Sequence, residues 1–168
     1  MRTKVVTTAL AASVLAGLCA SPAQADLPTE RTLRDGVQSG ASYDIKKVIL
    51  RSASPGEPAW VITTFASEVV AGDKFTVWFN TDKDTKPEMV FNAFAYSEYS
   101  FVEWGSRREL DCVSASLSGN KASIEFDPSC VAASRTMTVA VKAVDAERQG
   151  RDKVGSPKAW PKRVRSYL

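Results

Sequence analysis

The feature that most constrains the fold is a series of short β-rich runs, each bounded by turn residues. In KFTVWFN, residues 74–80, the side chains of Phe75, Val77 and Phe79 fall on one face of a strand because successive side chains alternate. Further runs meet at turn signals such as Gly119–Asn120. Beyond the first 25 residues, no window of about 12 residues has an apolar period of 3.6. The pattern predicts an all-β protein.

The spacing of these runs predicts how the strands assemble. About seven or eight strands, at intervals of roughly 8 to 12 residues, favour a two-sheet antiparallel β-sandwich with one disulfide. We expect this domain over residues 43–147, with RTMTVAVKAVDA as its last strand. Residues 26–42 are polar and predict a flexible N-terminal leader. Residues 148–168 predict a basic tail, either packed on the sandwich through Trp160 and Val164 or loose.

The N-terminus has the pattern of a secretion signal. Arg2 and Lys4 precede an uncharged run that is too short to span a bilayer, where about 20 residues are needed. An AQA motif then stands just before Asp26, as signal peptidases require. We therefore predict that residues 1–25 are removed after Ala25 and that the mature protein is secreted. A lipid anchor on Cys19 is the alternative interpretation.

Cysteine and histidine usage limits the chemistry. Of three cysteines, Cys112 and Cys130 remain after removal of the signal, and an even pair in a secreted chain predicts a disulfide. A catalytic cysteine is the alternative, and it needs a basic partner to form the thiolate. The chain contains no histidine, which excludes Ser-His-Asp and Cys-His catalysis and most zinc sites.

An acidic stretch, FNTDKDTKPEMVF, follows the clearest strand and has the oxygen spacing of a calcium loop. The predicted ligands stand at alternate positions, namely Asn80, Asp82, Asp84, the carbonyl of Lys86 and Glu88. Thr85 stands where EF-hand loops have glycine, and neighbouring lysines reduce the negative charge. The alternative is a solvated turn in which Asp82 and Asp84 form Asx-turns.

The same stretch resembles a segment of known proteins. GDKFTVWFNTDKDTKPEMVF, together with YDIKKV, the pair C…FDPSC and a tryptophan near the C-terminus, resembles small secreted bacterial proteins with an acidic loop. These proteins are similar to β-sandwich domains of the DOMON and family-nine carbohydrate-binding type. The resemblance covers most of residues 43–165 and implies the fold and the export of the chain. Asn80 and Glu88 stand where the resembled pattern has aspartate.

Aromatic residues are the second group of candidates. Sugar rings stack their apolar faces on flat aromatic side chains, so exposed tryptophans and tyrosines predict a glycan platform. The chain offers Trp60 and Trp160 in addition to the four residues predicted to bind a ligand: Trp78, Tyr96, Tyr99 and Trp104. The alternative is that these side chains cover the sheets or belong to the core, where large aromatics usually lie.

Other functions have weaker support in the sequence. Glu98, Glu103 and Glu125 are the strand-borne carboxylates, and their spacing does not mark a glycosidase pair, so we expect no enzyme activity. The tail over residues 148–168 has seven Lys or Arg and one Asp, which predicts either attraction to an anionic cell surface or a solubilising terminus. The chain has a formal net charge of +3, and we expect neither a nucleic-acid partner nor an integral membrane segment.

The sequence therefore predicts a secreted, non-catalytic β-sandwich protein that binds an unknown ligand or associates with the cell surface. A calcium site that binds weakly and serves the structure is part of this prediction. The alternative is a carbohydrate-binding module for cell-wall or environmental glycans.

Overall fold

The computed structural model describes residues 29–52, 57–82, 84–127 and 136–165, and within these ranges the chain forms eleven β-strands and no helix. The strands are β1 (Glu30–Arg34), β2 (Ile45–Arg51), β3 (Ala59–Phe65), β4 (Lys74–Asn80), β5 (Met89–Phe94), β6 (Tyr99–Glu103), β7 (Val113–Ser118), β8 (Lys121–Phe126), β9 (Thr136–Val144), β10 (Arg151–Val154) and β11 (Val164–Arg165). The all-β prediction is confirmed. The predicted number of seven or eight strands is wrong, because short strands also form in polar segments that have little apolar alternation.

The strands form two sheets in which every pairing is antiparallel. The first sheet has the order β1-β2-β3-β8-β7, and the second has the order β10-β9-β4-β5-β6. Strand β11 also pairs with β9. The predicted Gly119–Asn120 turn joins β7 to β8, with Gly119 at a φ of +55° that glycine adopts without steric cost. The two-sheet antiparallel architecture is therefore confirmed.

Apolar side chains of both sheets meet in one core. Phe75 and Phe79 of β4 lie on the inner face, as the alternation predicts, and both are buried. The Phe79 ring meets Phe126 of β8 edge-on, with 5.0 Å between centroids, and Phe75 meets Phe65 of β3 at 5.8 Å. Each buried phenylalanine contributes about 1.5–3 kcal/mol relative to exposure. Because each pair joins one sheet to the other, these contacts close the sandwich.

Both segments outside the predicted domain contain strands. The expected flexible leader contains β1, which pairs with β2 from Glu30 opposite Arg51 to Arg34 opposite Lys47. The predicted tail contains β10 and β11, which both pair with β9, and Val164 is fully buried. The strands therefore extend beyond residues 43–147 on both sides, and β9 is followed by two more strands.

Two carboxylates fix the start of β2. Asp44 Oδ2 accepts hydrogen bonds from the backbone N–H groups of Gln38, Ser39 and Gly40 at 2.6–2.8 Å. Asp152 of β10 accepts one from the N–H of Ile45 at 2.7 Å. Because β10 belongs to the second sheet and β2 to the first, the Asp152 hydrogen bond joins the sheets at this end of the sandwich.

Some predictions concern residues that the structure does not describe. The predicted signal over residues 1–25 and Cys130, the predicted disulfide partner of Cys112, lie outside the described residues, so both stay predictions. Within the described part of the chain, no helix has the length and apolar character needed to span a bilayer.

Candidate functional site

The acidic loop joins β4 to β5 and brings three carboxylates together. Carboxylate oxygens of Asp82, Asp84 and Glu88 lie within 4.8 Å of one another. Asp82 Oδ1 accepts a hydrogen bond from the backbone N–H of Asp84 at 2.7 Å, and Asp84 Oδ1 accepts one from the N–H of Lys86 at 2.6 Å. These are the two Asx-turns that the sequence offered as the alternative to a metal loop. Hydrogen bonds within the loop therefore stabilise its conformation.

Glu88 lies at the end of the loop, next to β5. Its Oε2 accepts hydrogen bonds from the backbone N–H of Thr81 at 2.5 Å and from the Thr81 hydroxyl at 3.2 Å. Burial raises the pKa of Glu88, the hydrogen bonds from Thr81 act against the rise, and the negative charges of Asp82 and Asp84 add to it. A positive charge beside the loop therefore favours the ionised form of Glu88.

Asn80, the first predicted ligand, is fully buried and has protein partners for both ends of its amide. Its Nδ2 donates to the carbonyl oxygens of Asp84 at 3.0 Å and Lys86 at 2.8 Å. Its Oδ1 accepts a hydrogen bond from Arg163, which also donates to the Asn80 carbonyl oxygen at 3.3 Å. Asn80 Oδ1 and the Lys86 carbonyl oxygen, two of the predicted ligands, thus bind protein donors. Each of the three carboxylates also accepts hydrogen bonds through one oxygen, which leaves its second oxygen for a cation, and calcium stays a prediction.

Arg163 supplies a positive charge beside the acidic loop. Burial lowers the pKa of Arg163, and the negative charges of Asp82, Glu88 and Asp84 act in the opposite direction. The guanidinium therefore lies in the field of all three carboxylates. It offers the loop an internal cation, which reduces the need for a bound metal ion.

The segment that contains Arg163 lies across the loop. We call residues 160–163 the C-terminal clasp. Within it, the indole N–H of Trp160 donates to the carbonyl oxygen of Thr85 at 3.2 Å. The hydroxyl of Thr138 on β9 donates to the carbonyl oxygen of Pro161 at 2.9 Å. Trp160, a possible sugar-stacking residue by sequence, therefore holds the clasp to the loop.

The four aromatic residues predicted to bind a ligand are divided between two places. Trp78 and Trp104 line a shallow depression of about 340 Å³ on the outer face of the second sheet. Tyr96 and Tyr99 lie near the β5–β6 turn and line a separate cleft of about 170 Å³. The structure therefore brings the tryptophans together and separates them from the tyrosines.

Polar and apolar groups alternate across the depression. Trp78 of β4 lies opposite Val90 of β5, and Thr76 lies opposite Asn92. The Thr76 hydroxyl donates to Asn92 Oδ1 at 3.0 Å, and the amide N–H₂ group of Asn92 has no partner among the described residues. Trp104 directly follows β6 and is 45% exposed. The depression thus combines accessible aromatic surface with a hydrogen-bond donor.

Three basic side chains complete the lining of the depression: Lys74, Arg107 and Lys142. The Arg107 guanidinium lies 5.7 Å from the centroid of the Trp104 ring. The Lys74 ammonium lies 5.5 Å from the centroid of the Phe94 ring. These cation–π contacts keep two positive charges beside aromatic faces.

The tyrosine cleft has a different character. The ring of Tyr99 stacks on that of the buried Phe91 with 5.6 Å between centroids, and Tyr99 is 47% exposed. Tyr96 occupies the β5–β6 turn with a φ of +58°, and its hydroxyl donates to the carbonyl oxygen of Val69 at 3.4 Å. Both tyrosines therefore make structural contacts and also present aromatic surface to the solvent.

The carboxylates considered for catalysis lie apart. Glu125 is on β8 of the first sheet, whereas Glu103 ends β6 of the second. Glu98 lines the tyrosine cleft, and neither of the other two does. Hydrogen bonds from Arg108 and then from the Ser106 hydroxyl lower the pKa of Glu103. The fold therefore does not bring these acids to one cleft.

Comparison with known proteins adds no family to this description. The chain matches no family model, no curated protein and no solved structure. Its class is therefore defined by the fold alone, as a two-sheet antiparallel β-protein. The resemblance to DOMON and family-nine carbohydrate-binding domains stays a prediction.

The sequence did not identify several residues of the depression and one residue beside the acidic loop. Thr76, Asn92 and Lys142 are polar residues that alternate with apolar neighbours in strands β4, β5 and β9, and this alternation could have placed them on an outer face. Arg107 lies outside the strands and has no such signal. Arg163 lies 83 residues from Asn80 along the chain, and no local pattern joins them.

Proposed function

We propose that the protein is a secreted, non-catalytic binding module that holds a glycan on the outer face of its second sheet. The observation that carries this proposal is the depression in which Trp78 and Trp104 lie beside the Thr76–Asn92 pair. Export is supported by the N-terminal sequence, as described above.

The chemistry of the depression suits a sugar ring. The flat apolar face of a sugar packs on an aromatic side chain, and its hydroxyl oxygens accept hydrogen bonds from groups such as the amide of Asn92. Trp104 is 45% exposed, so a ring can reach it without a change in the fold. The shallow shape of the depression suits a polymer that lies along the surface rather than a small enclosed ligand.

The lining also favours binding over hydrolysis. Glycoside hydrolysis requires two carboxyl groups that flank the scissile bond, about 5 to 9.5 Å apart. Among the described residues that line the depression, none is acidic. A sugar held there would not meet a general acid or a nucleophile of this type.

Affinity measurements on a panel of neutral and acidic polysaccharides test the proposal. We expect at least one polymer to bind and Trp104→Ala to weaken that binding about tenfold or more, because an aromatic anchor is often worth 2 kcal/mol or more. Trp60→Ala is the matched control, since Trp60 lies on the first sheet, outside the depression. Absence of binding to every polymer, or equal losses in both variants, would contradict the proposal.

A further inference from the structure

The strand register collects basic residues on one side of the depression. Lys142 of β9 lies opposite Lys153 of β10. Lys74 of β4 lies opposite Val144 of β9, which in turn lies opposite Arg151 of β10. Three neighbouring strands therefore present four positive charges on the outer face of the second sheet.

These four residues and Arg107 form what we call the basic face: Lys74, Arg107, Lys142, Arg151 and Lys153. Within the described part of the chain, none of the five takes part in an ion pair. Like charges this close repel one another, so their grouping costs stability unless an outside anion compensates for it. The basic face is therefore a surface with an excess of positive charge.

Two carboxylates lie beside the basic face and offset part of its charge. Asp35 and Asp152 line an adjoining cavity of about 590 Å³ together with three of the basic residues. Asp152 accepts a hydrogen bond from the N–H of Ile45 at 2.7 Å, and Asp35 accepts one from the N–H of Gly36 at 2.9 Å. Neither carboxylate lines the depression itself.

The outer face of the first sheet carries charges of both signs. There, Arg51 forms an ion pair with Glu30 at 2.9 Å. Glu125 lies opposite Trp60 on the same face. Arg34 lies opposite Lys47, and Thr64 lies opposite both Lys47 and Lys121, so the first sheet also carries a row of basic residues. The second sheet differs because its basic residues line a depression together with two tryptophans.

We propose that the depression and the basic face together bind an acidic polysaccharide. Its sugar rings pack on Trp78 and Trp104, and its carboxylate groups meet Lys74 and Lys142. This inference rests on the proposed function and adds the charge of the ligand to it. The two sets of groups recognise different parts of one polymer, because the tryptophans contact the ring and the lysines contact its substituent.

The dimensions favour a polymer over a compact anion. From β10 to β6 the second sheet crosses five strands, or about 19 Å at an interstrand spacing of roughly 4.8 Å. Lys142, Arg151 and Lys153 occupy the β10 side of this span, Lys74 lies on the middle strand β4, and Arg107 and Trp104 lie at the β6 side. An extended chain that crosses the strands meets both sides. The formal net charge of +3 is low for a protein that relies on phosphate contacts alone, which disfavours nucleic acid.

The test uses one sugar backbone with and without its charge. The probes are polygalacturonate and its fully methyl-esterified form, with alginate as a second carboxylated polymer, each measured by calorimetry or affinity electrophoresis at 50 and 300 mM salt. We expect an acidic polymer to bind the full-length protein at least tenfold more tightly than the methyl ester. We also expect this advantage to shrink at high salt, because exposed charges are screened.

Charge reversal locates the interaction. Lys74→Glu and Lys142→Glu should each weaken acidic-polymer binding about tenfold, because reversal replaces attraction by repulsion. Lys121→Glu on the first sheet is the matched control and should leave affinity unchanged. The melting temperature of each variant checks that it is folded.

The outcomes separate the inference from the proposed function. Equal binding of the charged and esterified polymers, lost in Trp104→Ala, would overturn the acidic specificity and keep the glycan function. Acidic binding that resists both lysine reversals, or that duplex DNA reproduces with equal affinity, would also overturn the inference. Absence of binding to any polysaccharide would overturn both.

Discussion

At the residue scale, Arg163 and Asn80 determine how the acidic loop is held. The buried amide of Asn80 donates to two loop carbonyls and accepts from Arg163, so one residue joins the strand, the loop and the C-terminal clasp. Buried polar groups of this kind are costly when they lose a partner. The loop therefore depends on a contact that is remote in sequence.

Replacement of Arg163 by Gln should destabilise the protein by about 1–3 kcal/mol, because the Asn80 oxygen loses its charged donor in a buried position. Urea denaturation measures the change in the free energy of unfolding. Lys162→Gln, an exposed neighbour, is the control and should change stability by less than about 0.5 kcal/mol. Equal stability of Arg163→Gln and the wild type would show that the contact does not support the fold.

The hydrogen bonds to Asp44 predict that the stability of the fold depends on pH. Burial acts to raise the pKa of Asp44, but hydrogen bonds from the backbone of Ser39, Gly40 and Gln38 outweigh it and lower the pKa. The unfolded chain then takes up the proton before the folded one. The stabilisation is complete above the ordinary carboxyl pKa of about 3.9 and is lost as pH falls through the lowered value.

The Asp44→Asn variant measures this contribution. We expect it to cost about 1–3 kcal/mol at pH 7, because three N–H donors lose a charged acceptor. The stability difference from the wild type should shrink as pH falls below about 4. The exposed residue Asp111, changed to Asn, provides the control. A difference that stays constant from pH 7 to acid unfolding would contradict the argument.

At the element scale, the loop between β4 and β5 has two possible sources of positive charge. Arg163 is one, and the predicted calcium ion is the other. The converging carboxylates of Asp82, Asp84 and Glu88 are three oxygen donors, whereas calcium takes six to eight oxygen ligands. Any calcium site here must therefore use several waters and be weak.

A thermal melt with calcium and with a chelator tests this prediction. For a dissociation constant of about 1 mM, 10 mM calcium should add about 1.4 kcal/mol of stability. The Arg163→Gln variant should show a larger calcium-induced rise in melting temperature than the wild type, because a competing positive charge is gone. The Asp82→Asn, Asp84→Asn double variant should show none. An unchanged melting temperature of the wild type across millimolar calcium would exclude the site.

Strands differ in how well the sequence predicts them. β4 is predictable because Phe75, Val77 and Phe79 alternate with outward-facing neighbours. The local sequence therefore predicts which face of this strand is buried. β11 is not, since it has two residues and exists only through pairing with Met137 and Thr136 of β9. The same holds for β1 and β10, which form at sheet edges from polar segments.

At the scale of the whole molecule, only part of the site on the outer face of the second sheet can be predicted from the sequence. Parity along β4 places Trp78 outward, opposite the phenylalanines, so half of the aromatic site is predictable. Trp104 follows β6 and reaches the depression only because β6 pairs with β5. The basic face has the same origin, since Lys74 and Lys142 are 68 positions apart in sequence and meet through the pairing of β4 with β9.

The pairing of β9 with two later strands has a consequence for truncation. β9 is mostly buried, and the edge that faces away from β4 is covered by β10 and β11, which follow it in the chain. Proteolysis that removes these two strands would leave an apolar strand with unpaired backbone groups, which can pair with a second copy of the protein. Loss of a short terminal segment thus turns a protected strand into a site of aggregation.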